Sequence, residues 1–238
     1  MRINKYLAQS GLASRRKCDE FIHQGLIKVN GEVITDYSYQ VNIYDIVYYK
    51  NKLIESITEK KYYILNKPRG YICTYNDPNN RKNVYSLLPN DIRIFSIGRL
   101  DYDTTGILLL TNDGDFSNFL CHPKYNIKKK YAVLTKSKLS KDHIKEVRNG
   151  ILLDGKDKVN GEIYYKGYEE NKYVWDIHLT EGKNREIKRI FSYFDVRVSS
   201  LHRYEFAGLR LNKIKEGKFK LLKRNIIDSI KGKYGYKK

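Results

Sequence analysis

Cysteine, acidic side chains and long apolar runs are all scarce in these 238 residues, and each shortage narrows what the protein can be. The three cysteines, Cys18, Cys73 and Cys121, are far apart, leave an odd count and include no CxxC pair, so neither a disulfide framework nor a zinc site is expected. That fits a reducing cytosol, and a cytoplasmic location is expected. No apolar stretch approaches the roughly eighteen residues of a membrane span, and Met1-Arg2-Ile3-Asn4-Lys5 leads into an amphipathic segment instead of a signal peptide, so no membrane partner is expected. The five histidines, His23, His122, His143, His178 and His202, lack metal-ligand spacing, and neither a Gly-rich phosphate loop nor a dinucleotide fingerprint is present. A chemistry with no metal and no small-molecule cofactor is the simplest that remains. The shortage of acid is large: 46 Lys+Arg stand against 27 Asp+Glu, a formal charge of +19, which calls for a polyanionic partner.

What is present divides into two units. In residues 1–58, Ile3, Tyr6 and Leu7 share one face of a short helix that Gly11 stops. Ser14 can cap a second helix with inner face Cys18, Phe21 and Ile22, ending at Gly25. Arg15, Arg16 and Lys17 fill the first turn of that helix, where the macrodipole disfavours cations. Their placement suits phosphate contact at the helix N-terminus, although a solvated charged face has the same signature. Leu26–Val29 and Glu32–Ile34 flank Asn30-Gly31, the strongest short hairpin signal. Two small helices and a hairpin, with ASRR opening the second helix and VNG at the turn, resemble the alpha-L RNA-binding module. The unit holds eight Lys+Arg against six Asp+Glu, so most of the positive charge belongs to the remainder. Residues 51–61 read as a linker.

Residues 59–238 open with a strand, Tyr62 to Leu65, a turn at Lys67-Pro68-Arg69-Gly70 that presents two cations, and a second strand over Tyr71–Thr74. The most informative stretch is GRLDYDTTGILLLTNDG, Gly98 to Gly114. It sets Arg99 and Asp101 in a polar loop before the apolar run Ile107–Leu110, a buried strand, with Asn112-Asp113-Gly114 turning the chain out. A short helix with Phe116, Phe119 and Leu120 comes after it, then a strand from Tyr131 to Leu134 and a helix over Ser140–Gly150. Strands at Glu162–Tyr165 and Tyr173–Leu179 come next. In KNREIKRIFSYF, Ile187, Ile190, Phe191 and Phe194 form a helical core face, Arg185 and Arg189 point away, and Lys188 lies on the flank. From there Lys188 could reach a carboxylate at a strand end, but periodicity alone favours a solvated basic face. Strands recur between Val196 and Leu211, and residues 213–238 carry ten Lys+Arg against two Asp+Glu, with Lys231–Lys238 read as a frayed basic tail.

GRLDYDTTGILLLTNDGDF, with KPRG at Lys67–Gly70, KKYAV at Lys129–Val133 and EGKNREIKRIF at Glu181–Phe191, resembles the bacterial ribosomal pseudouridine synthases of the RsuA/RluB type, nearest the large-subunit branch. The resemblance spans nearly the whole chain. It implies an α+β protein in which the amino-terminal RNA-binding domain (1–58) precedes a catalytic domain (59–238). The latter would be a mixed, mainly antiparallel sheet flanked by helices and ending in a basic tail. It further implies Asp101 as the catalytic carboxylate, Tyr131 as the aromatic stacked on the target base, Lys188 as the charge partner of Asp101, and Leu209 as an apolar lining of the base pocket. The family more often has Arg at the position of Lys188; Lys makes a single-point contact where Arg would make two. Arg15, Arg16, Lys17, Lys67, Arg99, Arg185 and Arg189 are the expected RNA contacts, Arg99 filling the space of the flipped nucleotide. The partner expected is ribosomal RNA, the protein acting as a monomer.

Uridine isomerisation suits a lone carboxylate, because the glycosidic bond is broken and remade at another ring atom with no net redox change. Asp101 could attack the anomeric carbon or take a proton from the neighbouring sugar carbon. Three other readings stay open on the residues: the DxDxT of aspartyl-phosphate phosphotransferases, matched by Asp101-Tyr102-Asp103-Thr104; a noncatalytic RNA-binding protein; and the same isomerisation on small-subunit rRNA or tRNA.

Overall fold

Two short amphipathic helices, α1 (Ile3–Gln9) and α2 (Arg15–His23), begin the computed structural model, which describes residues 1–55, 57 and 59–236. Ser14 caps α2 by accepting a hydrogen bond from the Lys17 amide, and Cys18 and Ile22 bury against Ile3 and Leu7. The hairpin β1 (Ile27–Val29) and β2 (Glu32–Ile34) turns through Asn30 and Gly31, both at positive φ, as a two-residue hairpin loop requires. Strands β3 (Val47–Tyr49) and β4 (Lys52–Leu53) extend this sheet to the order β2-β1-β3-β4. Their turn uses Lys50 and Asn51 in the left-handed region, a strained choice that carries no Asn-Gly signature. The expected linker therefore begins inside a hairpin. The expected border at 58/59 falls on Thr58, which lies outside the described residues.

The second unit is built on one nine-stranded sheet: β5 (Tyr62–Lys67), β6 (Phe95–Ser96), β7 (Thr105–Thr111), β8 (Lys129–Thr135), then a separate hairpin β9 (Ile151–Leu153) and β10 (Asp157–Val159), and again in the sheet β11 (Glu162–Glu169), β12 (Lys172–Leu179), β13 (Val198–Phe206), β14 (Leu209–Arg210) and β15 (Phe219–Leu221). Its main path runs β11-β12-β8-β13-β7-β5-β15, and only β13 with β7 pairs in parallel. The unbroken apolar run of β7 has a simple cause. Leu108 and Leu110 join one core with Leu65, Trp175 and Phe191, while Ile107 and Leu109 join another with Ile64, Phe116 and Ile227. A strand buried on both faces needs apolar residues at every position.

Helices α3 (Gly114–Cys121) and α6 (Arg224–Lys233) cover the second core; α4 (Lys141–Asn149) and α5 (Glu186–Tyr193) cover the first. Asp113 caps α3 through the amides of Asp115 and Phe116. The frayed tail expected over Lys231–Lys238 is corrected as far as Tyr236: α6 carries the chain to Lys233, and Tyr236 packs beyond it. Ile227 and Ile230 are buried, the Tyr236 amide donates to the Lys231 carbonyl, and the Tyr236 ring lies 4.7 Å from that of Phe119. Lys237 and Lys238 lie outside the described residues. The strand expected over Tyr71–Thr74 is also absent: Ile72 makes only an isolated bridge to Asn83. No helix among the described residues is long and apolar enough to cross a membrane.

Two close approaches fix β7 and α3 in place. Gly106, at φ +105°, lies so close to β13 that a Cβ there would come within 2.2 Å of the Arg203 carbonyl oxygen; only glycine allows this approach. In α1, Lys5 pairs with Asp115 at 2.7 Å, joining the first unit to the start of α3.

Candidate active site

The loop from Leu100 to Thr104 leads directly into β7, and its carbonyls are tied down one after another. The Cys73 thiol donates to the Leu100 carbonyl, the Thr104 amide to that of Asp101 at 3.1 Å, and the Gly70 amide to that of Tyr102 at 2.8 Å. Lys67 completes the set. Its Nζ donates to the carbonyls of Thr104 (2.8 Å) and Pro68 (3.0 Å). Burial pulls the Lys67 ammonium down to about 8, although the charges around it oppose the shift. The expectation that Lys67 touches RNA is thereby corrected: the side chain is 0 % exposed and serves as an internal peg, because the turn it opens folds over it.

Asp101 sits at the edge of a cavity of about 140 Å³ whose walls include Ile97, Leu100, Lys129, Tyr131, Leu201 and Phe206. Tyr131 enters it from β8, directly across from Arg203 on β13 and Ile177 on β12. Lys188, on the flank of α5, brings its ammonium to 3.4 Å from Asp101 Oδ2 and to 2.5 Å from Asp103 Oδ1. Its side chain is 13 % exposed and that of Asp101 31 %. Partial burial would raise the Asp103 carboxyl, but the hydrogen bond and charge of Lys188 outweigh it and hold the group below the usual carboxylate range. The start of α5 places this lysine. Arg185 takes the left-handed conformation at the N-cap, and Glu186 reaches back so that its Oε2 accepts from the Lys183 amide at 2.7 Å. Burial raises the Glu186 carboxyl.

Arg99 and Arg185 are exposed and line the mouth of the cavity. Arg189, also expected to meet RNA, is instead held 2.7 Å from Asp154 and 2.8 Å from Asp157 at the β9–β10 hairpin, which raises its pKa and removes it from the set of free cations. Leu209 is corrected as well. It follows the Ala207-Gly208 turn into β14 and packs with the second core beside Ile226, away from Asp101. The apolar wall comes from Leu201 and Phe206 on β13 instead. In the first unit, Arg16 is exposed, Arg15 Nη2 is 3.4 Å from Asn4 Oδ1, and Lys17 pairs with Glu20 on the surface.

Sequence reasoning missed two buried cations of the cavity. Lys129 and Arg203 each stand two residues from a residue that faces the cavity, Tyr131 and Leu201, so strand alternation would have pointed both inward. The ammonium of Lys188 pairs with both Asp101 and Asp103, the two carboxylates of the DxDxT match.

Residues 61–193 match the family model described as RNA pseudouridylate synthase, and residues 1–47 match that of the S4 domain. A Bacillus subtilis protein named ribosomal large subunit pseudouridine synthase B is 39 % identical over 219 residues, 91 % of this chain and 89 % of that one. A Haemophilus influenzae protein named ribosomal small subunit pseudouridine synthase A is 29 % identical over 97 % of this chain and 99 % of its own length. A crystal structure titled pseudouridylate synthase superposes with a TM-score of 0.69 at 28 % identity, covering 97 % of this chain and 99 % of that chain. With this fold, this loop and these matches, the chain belongs to the RNA pseudouridylate synthase family and carries an S4 domain at its amino terminus.

Proposed function

We propose that this protein isomerises a uridine of ribosomal RNA to pseudouridine, that Asp101 performs the chemistry, and that the RNA is that of the large subunit. The observation that carries the reading is the placement of one carboxylate, Asp101, at the edge of a small cavity that also holds Tyr131, with a cation 3.4 Å away. The cavity is well below the roughly 300–1,000 Å³ typical of drug-sized ligands and suits a single flipped base. Family membership supports the reaction. The choice of subunit is supported by the higher identity to the relative named for the large subunit, 39 % against 29 %.

In this reading the target nucleotide leaves its stack and its ring slides against Tyr131. Asp101 then acts at the sugar, either as nucleophile on the anomeric carbon or as base on its neighbour. Lys188, 3.4 Å away, aims the carboxylate; it is a positioning residue. Arg99 and Arg185 hold the backbone on either side of the cavity mouth, and Arg15, Arg16 and Lys17 grip a more distant part of the RNA from the first domain, residues 1–58. The second domain, 59–238, carries the reaction. Pseudouridine mapped by chemical sequencing in rRNA from cells with and without the protein tests the assignment. Loss of one large-subunit site supports it, and an unchanged map in both rRNAs contradicts it.

A further inference from the structure

Arg203 is the most deeply buried cation of the cavity, 2 % exposed. Its Nε donates to the Ile107 carbonyl at 2.8 Å, across the close approach that Gly106 permits, and its guanidinium carbon lies 4.7 Å above the Phe206 ring. Its Nη2 has no hydrogen-bond partner among the described residues. A buried, unpaired N–H of a charged group is costly and calls for a partner. Lys129, 8 % exposed, stands by the same phenylalanine, 5.6 Å from its ring, and donates to the Thr180 carbonyl at 3.0 Å. Burial first, and then the charge of Arg203, pull its ammonium down to about 8. Neither cation has a carboxylate within salt-bridge distance among the described residues, and Glu186, the other acid in the lining besides Asp101, is tied to a backbone amide. Thr104 Oγ1, also buried in the cavity wall, is the second polar atom there without a partner.

We infer that Arg203, with Lys129 beside it, is a catalytic anion anchor that receives a carbonyl oxygen of the uracil as the ring leaves the sugar. The inference rests on the isomerase reading above. When the bond between the anomeric carbon and ring N1 breaks, its electron pair departs with the base, which becomes a uracilate whose charge is shared by N1 and the two carbonyl oxygens. Asp101 meanwhile either holds the anomeric carbon as an ester or keeps the proton taken from the neighbouring carbon. After the ring turns, carbon 5 donates its electron pair to the anomeric carbon. Asp101 is released as carboxylate, or returns its proton, and the proton on carbon 5 moves to N1. Between these events the free uracilate needs a fixed positive partner that excludes water, which is the setting where one preorganised donor contributes most. Arg203 is covered by strand and ring, has a donor to spare, and faces Tyr131 across the β8–β13 ladder.

The test compares uridine with 5-fluorouridine in the same rRNA transcript, measuring single-turnover loss of the N-glycoside by chromatography of nuclease digests. Fluorine stabilises the departing anion and so lessens the need for Arg203. Arg203→Gln should slow the uridine reaction by about 100-fold or more and the 5-fluorouridine reaction much less, with RNA binding retained. If Arg203→Gln has no cooperative melting transition, Arg203→Lys takes its place, with a smaller loss in the same order. An equal loss on both substrates means a structural role and overturns the inference, as does no loss on either. A wild type that converts neither substrate overturns the isomerase reading and the anchor with it, whereas an active wild type with substrate-independent losses overturns the anchor alone.

Discussion

Lys188 is shared between two carboxylates, 2.5 Å from Asp103 and 3.4 Å from Asp101, so its shorter ion pair is made to the residue with no assigned role in the reaction. Two variants separate the partners. Lys188→Met leaves both carboxylates without their cation, and turnover is expected to fall by about 10- to 100-fold with RNA affinity little changed, a barrier increase of about 1.4–2.7 kcal/mol. Lys188→Arg should retain more activity. Asp103→Asn frees Lys188 for Asp101 and is expected to stay within about tenfold of wild type. Wild-type turnover in Lys188→Met, measured by tritium release from carbon-5-labelled rRNA, would show that Asp101 needs no cation.

Lys67 provides a pH test of how the Asp101 loop is held. An ordinary lysine titrates near 10.5, and Lys67 is pulled down to about 8. Below pH 8 both folded and unfolded chains carry the proton. Between these two values the unfolded chain keeps a proton that the folded chain has released, so this residue makes the fold more stable as pH rises through that window. Lys67→Met cannot titrate. The wild type's advantage over it in unfolding free energy should grow by about 1–3 kcal/mol between pH 7.5 and pH 10. Denaturant unfolding at both pH values measures the gap, and a gap independent of pH would mean that Lys67 titrates as it does in the unfolded chain.

The outline of the fold is legible in the sequence wherever one physical signal dominates. Asn30-Gly31 marks a hairpin, Ser14 a cap, and Ile107–Leu110 a doubly buried strand. The Asp101 loop is legible because its string is long and specific. Errors arise where tertiary partners override local pattern. Lys67 and Arg189 look like surface cations until Thr104, Asp154 and Asp157 are seen to claim them. Lys231–Lys238 resembles a tail because its lysines mask Tyr236, which packs against Phe119 only once the sheet offers a face. Arg203 is marked locally by its alternation with Leu201 alone, and that cue runs against the general rule that arginines stay exposed.

The basic residues differ in what salt should reveal. Replacing Arg15, Arg16 and Lys17 together with Ala is expected to weaken binding and flatten its dependence on salt by about 0.7 to 0.9 for each phosphate no longer neutralised. Arg185→Ala should reduce the slope by about the share of one phosphate. Arg189→Ala should leave the slope unchanged and lower stability instead, since Arg189 is occupied by Asp154 and Asp157. Filter binding across a salt series measures all three, and a slope change in Arg189→Ala would place that residue back among those that touch RNA.

Asp101→Asn tests the central claim most directly, because it preserves shape and removes both the nucleophile and any capacity to act as a base. Tritium release from carbon-5-labelled rRNA should fall below detection, while filter binding shows RNA affinity held or slightly increased by the loss of a negative charge near the phosphates. Turnover within about tenfold of wild type, a barrier change of only about 1.4 kcal/mol, would contradict the assignment of Asp101 as the essential carboxylate.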